Sequence, residues 1–286
     1  MARTIIVSFF AFLLYACTAG LAQGRRTYAG FDRNDYPGDA ALPTLRESFR
    51  YTSYWLNAPP GEERTTWEGK RALLRRCGFG FLVLFNGRTD AELKAARQPG
   101  TSAADLGAQD GKAAVAAARH EGFPAHVRIF LDQEEGGRLL PEQSDYLFAW
   151  VDAVRAAGAR AGVYCSGIDV PEGNGTISTA SDIAEREKER MSASSKAADR
   201  LSLWVADDRC PPSPGCALPA PPLAGIFAPP VAEYARVWQY AQSPRRAQFS
   251  AGCPANQNPN GSCYAPGTRV FVDMNGSDSP DPSEAP

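Results

Sequence analysis

The fold is decided by the stretch Ile129-Phe130-Leu131-Asp132-Gln133-Glu134-Glu135. Three apolar residues followed directly by acids are typical of a buried parallel strand that ends at the edge of a sheet. Helical patterns over 111–120 and 140–157 flank this run, and a glycine follows each of them. Because parallel strands are joined by long crossovers that are usually helical, the order helix, strand, helix predicts parallel pairing.

Similar runs recur along the whole chain. Eight of them are separated by connections, several of which are helical, and they occupy 27–32, 50–56, 80–86, 127–132, 160–165, 202–206, 236–241 and 269–274. Eight strands in a chain of this length predict an α/β fold, a (β/α)₈ barrel of the TIM type. Between 206 and 236 and again from 242 to 268 the connections are Pro-rich or polar. We therefore expect a distorted barrel that lacks some helices in its second half.

The two ends of the chain differ in composition from the barrel at 23–275. Residues 1–22 combine Arg3 with a short apolar run and small residues before Gln23, which is typical of a signal peptide and predicts secretion into an extracellular or periplasmic space. Cleavage before Cys17, as in a lipoprotein, fits less well because Tyr15 stands in the recognition box. Residues 276–286 are mostly small, acidic or Pro, which predicts a flexible tail.

Charge and residue types exclude several classes of partner. The chain has 30 basic and 32 acidic residues, so it has no basic field for nucleic acid. No segment after the signal peptide is long and apolar enough to suggest a membrane span. Two histidines and the absence of a Cys-x-x-Cys pair predict neither a metal site nor a cofactor.

Six cysteines remain after signal removal, an even number that suits disulfide pairing in an exported protein. Cys210 and Cys216 bracket one loop, and Cys253 and Cys263 bracket another, so two local disulfides are predicted. Cys77 and Cys165 would then pair with each other. Other connectivities remain open, because spacing alone does not fix the pairing.

Acidic residues stand where the predicted strands end. Asp32, Asp132 and Asp273 lie at the ends of the first, fourth and last runs, and Glu134 shares a face with Asp132 because strand side chains alternate. The carboxyl ends of barrel strands form the active face, so we expect these four acids to converge. For any one of them, the alternative is a cap or a loop hydrogen-bond acceptor.

Carboxylates that share one cleft cannot all ionise freely, so one becomes a proton donor while another stays charged. This pair of roles is what cleavage of a glycosidic bond requires. Trp204, Trp238, Gln239 and Tyr240 lie on the sixth and seventh runs, where they are candidates for binding sugar rings. For the two tryptophans, packing inside the barrel is an equally good interpretation.

Several segments carry a resemblance to a known family. They are Gly30-Phe31-Asp32, Asp110-Gly111, Gly122-Phe123-Pro124, Phe130-Leu131-Asp132-x-Glu134, Gly162-Val163-Tyr164, Leu203-Trp204-Val205-Ala206, Trp238-Gln239-Tyr240 and Val272-Asp273-Met274-Asn275. In this order, over roughly residues 27–275, they resemble the glycoside-hydrolase-like family catalogued as domain of unknown function 1906. That family is similar to the glycoside hydrolase family 25 lysozymes.

The resemblance implies a distorted barrel and a glycan substrate of the peptidoglycan type. Carried over by position, Glu134 is the general acid, Asp132 and Asp273 are supporting carboxylates, and Asp32 is the carboxylate of the first strand. The sequence thus predicts a secreted, lysozyme-like glycoside hydrolase that cleaves cell-wall glycan. The alternatives are a non-catalytic protein that only binds carbohydrate and, less well supported, a surface scaffold.

Overall fold

The computed structural model describes residues 26–96, 98–193, 199–207, 225–242, 265 and 267–284. Eight strands close into one barrel, as the sequence predicts. In order around the barrel they are β1 (Tyr28–Asp32), β2 (Tyr51–Trp55), β3 (Gly80–Asn86), β4 (Arg128–Gln133), β5 (Arg160–Ser166), β8 (Ser202–Ala206), β9 (Ala235–Ala241) and β10 (Asp273–Ser277). A separate hairpin, β6 (Val170–Glu172) and β7 (Gly175–Ile177), follows β5.

Helices form the outer layer. They are a 3₁₀ turn (Asp39–Ala41), α1 (Leu42–Ser48), α2 (Arg71–Arg76), α3 (Asp90–Ala95), α4 (Ala103–His120), α5 (Pro141–Ala156), α6 (Thr179–Ala193) and α7 (Val231–Tyr234). Within the described residues, the four-residue α7 is the helix that follows β8. Most of the two connections in which the sequence predicts missing helices, at 208–224 and 243–264, lies outside the described residues. None of the described helices combines the length and the apolar character that a membrane span requires.

The last strand runs against the other strands. β10 pairs antiparallel with both β1 and β9, whereas every other pair in the barrel is parallel. It begins at Asp273, so the prediction of a parallel strand over 269–274 is wrong. The apolar residues Val270 and Val272 that suggested this strand lie before it. Because an antiparallel strand starts where its neighbour ends, Asp273 still reaches the carboxyl end of the barrel.

Two strand glycines make room for aromatic rings. A Cβ on Gly30 would lie 2.0 Å from the Tyr51 ring, and a Cβ on Gly162 would lie 2.5 Å from the Phe130 ring. In each pair the glycine and the aromatic residue lie directly opposite each other on neighbouring parallel strands. Large rings can therefore fill the barrel without forcing its strands apart.

The C-terminal segment lies against the amino-terminal end of the barrel. Ser283 O accepts a hydrogen bond from Arg128 N at 2.8 Å, and the Glu284 carboxylate pairs with Arg71 at 2.8 Å and with Arg75 at 2.6 Å. This docking differs from the flexible tail predicted over 276–286. The ion pairs and the hydrogen bonds to strand-end backbone groups offset the conformational entropy that is lost when the segment is ordered. The composition of the segment could not predict this, because these partners lie elsewhere in the chain.

The structure tests one of the three predicted disulfides. Cys77 and Cys165 are both free, so the predicted disulfide between them is wrong. Cys77 directly follows α2 and precedes β3, whereas Cys165 lies in β5, two strands further around the barrel. A disulfide requires Cα atoms within about 7 Å. The predicted Cys210–Cys216 and Cys253–Cys263 bridges, and the signal peptide at 1–22, lie outside the described residues.

Candidate functional site

Asp32 and Asp273 lie side by side at the carboxyl end of β1. The two residues are direct partners in the antiparallel register of β1 and β10, so their side chains share one face. Asp32 Oδ1 accepts hydrogen bonds from Asn275 Nδ2 at 2.7 Å and from Gln239 Nε2 at 3.0 Å. The first strand and the last two strands therefore fix one carboxylate inside the barrel.

The amides that hold Asp32 are themselves held from the other side of the barrel. Gln239 Oε1 accepts from the Tyr164 hydroxyl at 2.9 Å, and Asn275 Oδ1 accepts from Trp204 Nε1 at 2.8 Å. Both amides are fully buried. The result is a hydrogen-bonded network that connects β5, β8, β9, β10 and β1, and such a network restricts every member to one orientation.

The acids of β4 divide between two environments. Asp132 is 4% exposed and lies in register with Asn86 of β3 and Tyr164 of β5, all three facing the barrel interior. Glu134 follows the strand and is exposed. Glu135 points into the helical layer, where it accepts hydrogen bonds from Asp90 N and from the Gln143 side chain. This is the alternation that the sequence predicts for these residues.

Glu134 lines an open pocket of about 300 Å³. The other lining residues are Tyr164, Ser166, Ile168, Ala206 and Gln242. Tyr164 thus faces the pocket and also donates to Gln239, so the pocket adjoins the network that holds Asp32. The sequence predicts Glu134 here but not the other lining residues. Only their position could have indicated them: Ser166 and Ala206 are the last residues of β5 and β8, and Tyr164 lies two residues before Ser166, towards the carboxyl end of the barrel.

The predicted sugar-stacking residues are buried. Trp204 is 1% exposed and packs edge-on against Tyr164, with ring centroids 4.8 Å apart. Trp238 and Tyr240 alternate with the inward-facing Gln239 and so lie on the outer face of β9. The structure therefore favours the packing interpretation for both tryptophans. Gln239 and Tyr240 likewise support the barrel and present no surface to a ligand.

Burial also affects a tyrosine beneath the acids. Tyr51 faces the interior of the barrel from β2, beside Gly30, and is fully buried. Burial, followed by the nearby Tyr240, Asp32 and Asp278, holds the pKa of the Tyr51 hydroxyl well above its ordinary value. The hydroxyl therefore stays neutral and adds no charge below the carboxylates.

Potential metal ligands are found elsewhere. Within the described part of the chain, the side chains close enough to share an ion are Glu68, His120 and Glu121. They are near the carboxyl end of α4, which leads into the amino end of β4, so they lie at the end of the barrel opposite Glu134. The polar groups that line the pocket are the Glu134 carboxyl, the Tyr164 and Ser166 hydroxyls and the Gln242 amide.

The arrangement suits proton transfer combined with stabilisation of positive charge. One exposed carboxyl, that of Glu134, reaches the pocket, while Asp32, Asp132 and Asp273 are 6%, 4% and 3% exposed at the same end of the barrel. A protonated Glu134 can donate to a leaving oxygen. Negative charge in a region with little water stabilises a developing cation more than it does in bulk solvent.

Solved structures with a similar fold come from several organisms. An uncharacterized protein of B. stearothermophilus is 20% identical with a TM-score of 0.57, and the alignment covers 87% of this chain and 94% of that one. A lysozyme from Streptomyces coelicolor is 12% identical with a TM-score of 0.47, and the alignment covers 88% of this chain and 92% of that one. The catalytic domain of endolysin ply40 from a Listeria monocytogenes bacteriophage is 13% identical with a TM-score of 0.44, and the alignment covers 88% of this chain and 93% of that one. No curated protein matches the sequence.

A family model gives the assignment. The model described as "Rv2525c-like, glycoside hydrolase-like domain" matches residues 68–247, from just before α2 to just after β9. The match includes Asp132, Glu134 and Tyr164, whereas Asp32 and Asp273 lie outside it. Because the match covers well over half of the sequence, the chain belongs to the family of Rv2525c-like, glycoside hydrolase-like domains.

Proposed function

We propose that this protein is a glycoside hydrolase that cleaves a cell-wall glycan such as peptidoglycan, in the manner of a muramidase. The observation that carries the proposal is the exposed carboxyl of Glu134 in a pocket at the end of the barrel where three buried carboxylates lie. Membership in a glycoside hydrolase-like family supports the same chemistry. The fold alone would not, because barrels of this type serve many functions.

In the proposed reaction, Glu134 donates its proton to the glycosidic oxygen as the bond from that oxygen to the anomeric carbon breaks. Asp132 and Asp273 stabilise the positive charge that develops on the sugar and position its N-acetyl group. Asp32, held by Gln239 and Asn275, contributes fixed negative charge from β1. Water then attacks the anomeric carbon, and the ionised Glu134 accepts its proton.

The direct test is the release of reducing ends by the purified protein. Peptidoglycan and chitin oligomers are incubated with it over acidic and neutral pH, and retention on each glycan is measured in parallel. We expect turnover on peptidoglycan. Retention without turnover at any pH would contradict the proposal and identify a carbohydrate-binding protein instead. If the protein showed neither turnover nor retention on any glycan, the barrel would be interpreted as a scaffold.

We further propose that the protein works outside the cytoplasm, in an extracellular or periplasmic space. The signal-peptide pattern of residues 1–22 supports this location, since cell-wall glycan is found there. N-terminal sequencing of the protein exported by its own host tests the location. We expect Gln23 as the first residue. A lipid-modified Cys17 would instead show the lipoprotein alternative.

A further inference from the structure

The segment from Glu134 to Leu140, here called the acid loop, joins β4 to α5 and presents Glu134 to the pocket. A loop that carries a reacting group has to be held, because a misplacement of about 1 Å can cost a hundredfold in rate. Carboxylates outside the pocket hold this loop through hydrogen bonds. Asp182 on α6 contacts both the backbone and a side chain of the loop. A further carboxylate, that of Glu135 within the loop, contacts the helices around it.

Glu135 fastens the first half of the acid loop to the helical layer. Its carboxylate accepts hydrogen bonds from Asp90 N, at 2.9 Å, and from the Gln143 side chain. Its backbone carbonyl accepts from the buried Thr179 hydroxyl at 3.3 Å. The residue next to Glu134 is thus connected to the first turns of α3, α5 and α6, which restricts how Glu134 can move.

Asp182 fastens the second half. Its carboxylate is 1% exposed and accepts from Leu139 N at 3.0 Å and from Arg138 Nη1 at 2.8 Å. Arg186 Nε, one turn further along α6, donates to it at 2.9 Å. A buried carboxylate with one backbone and two guanidinium donors has strong, well-directed partners. Two of these three donors belong to the acid loop.

Arg138 extends the attachment to the rim of the cleft. Its other nitrogens donate to both carboxylate oxygens of Glu172, at 2.5 and 2.7 Å, on the hairpin that follows β5. This bidentate pair ties the acid loop to the hairpin β6–β7, whose approach from β5 contains the pocket residue Ile168. The acid loop is therefore held between α6 and the hairpin.

We propose that Glu135 and Asp182 are positioning residues for Glu134, which fix where its carboxyl lies in the pocket. The proposal rests on the proposed function, because it assigns these residues a role in that reaction. Neither carboxylate is required to touch the substrate. Their removal is expected to impair the chemical step and to leave glycan binding largely intact.

The test compares Asp182→Asn and Glu135→Gln with a matched control, Glu187→Gln, in the full-length protein. Glu187 is a second buried acid of α6, but it pairs with Arg155 of α5 at 2.6 Å and does not contact the acid loop. Turnover of peptidoglycan, Tm, and hydrogen exchange of a peptide covering 134–140 are measured for all four proteins. Glu135→Gln keeps the test decisive if Asp182→Asn fails to fold.

We expect both test variants to lose about tenfold or more in kcat with KM within about twofold of wild type, since only orientation changes. Exchange in the acid loop should be faster, while Glu187→Gln lowers Tm without either effect. Wild-type kcat and unchanged exchange in the test variants would overturn the proposal. If the wild type shows no turnover, the proposed function fails, and exchange then decides by itself whether these residues hold the loop.

Discussion

At the residue scale, Glu134 differs from the other acids that the structure describes, because among them only its carboxyl lines the open pocket. Glu134→Gln keeps the shape of the side chain but removes the proton donor. We expect hydrolysis to fall about a hundredfold or more, from the loss of general-acid catalysis. Glycan retention should stay near the wild-type level. Reducing-end release and pull-down on insoluble peptidoglycan measure the two effects.

The control for this substitution is Glu47→Gln, an exposed acid of α1 that lies outside the pocket. Its activity should equal that of the wild type. A Glu134→Gln protein with full activity would show that another group donates the proton. Asp132 would be the next candidate, because it lies on the same face of β4.

Cys77 and Cys165, which are free cysteines in the described part of the chain, should differ in reactivity. Burial raises the pKa of the Cys165 thiol far above its ordinary value, and the side chain is fully enclosed in β5. The thiolate is the reactive form, so Cys165 should resist alkylation at pH 8 until the protein unfolds. Cys77 is only half-buried and should react in the folded state. Peptide mapping after iodoacetamide treatment, with and without denaturant, checks both.

The same alkylation experiment tests whether Cys77 and Cys165 are free thiols. If neither Cys77 nor Cys165 were alkylated after denaturation without reductant, both would be engaged in disulfides, contrary to the structure. Labelling of Cys165 in the native protein would instead show that β5 opens readily. Cys165→Ala gives the assignment control, since it removes only the slow site.

At the element scale, an aromatic ring lies so close to β1 that it leaves no room for a side chain at Gly30. A methyl group there would lie 2.0 Å from the Tyr51 ring, which other side chains enclose completely. Gly30→Ala should therefore lower the free energy of unfolding by about 1–3 kcal/mol, the usual cost of overpacking. Urea unfolding followed by tryptophan fluorescence measures this change.

Gly136→Ala is the matched control, because a Cβ on Gly136 would have no atom within 4 Å. We expect its stability to be unchanged or slightly higher, since alanine restricts the unfolded chain. Equal stability of the two variants would show that β1 and β2 can separate to admit a methyl group. In that case the barrel interior would be less tightly packed than the distances indicate.

At the scale of the whole molecule, the C-terminal segment joins the amino-terminal ends of β3 and β4. Ser283 donates to Phe81 O and accepts from Arg128 N, and its hydroxyl accepts from Val83 N at 2.9 Å. Removing residues 281–286 takes away the partners of these strand-end groups and hydrogen bonds from four arginine side chains, those of Arg71, Arg75, Arg128 and Arg160. We expect the free energy of unfolding to fall by about 2 kcal/mol or more, since each lost hydrogen bond contributes about 1 kcal/mol.

Removal of residues 285–286 alone is the control, and it deletes none of the described contacts. Urea midpoints of the two truncated proteins and the full chain give the comparison. If the longer truncation were as stable as the full chain, the segment would contribute no net stability. Turnover should change little in either protein while it remains folded, because the segment lies at the end of the barrel opposite Glu134.

The family resemblance and the barrel itself were predictable from the sequence, and both are confirmed. Apolar runs that end in acids identify strands, and helical patterns with terminal glycines identify the crossovers between them. Alternation along β4 also separates Glu134 from Glu135, because the side-chain period of a strand is a local property. These features depend only on residues close together in the chain.

The remaining features depend on partners that are distant in sequence. The direction of β10, the burial of Trp204, the attachment of the acid loop to Asp182 and the docking of Ser283 each involve elements far apart along the chain. No local pattern encodes such a partner. The sequence alone determined which residues form strands and carry the acids, while the closure of the barrel decided which side chains meet, because burial and hydrogen bonding are set by the packed whole.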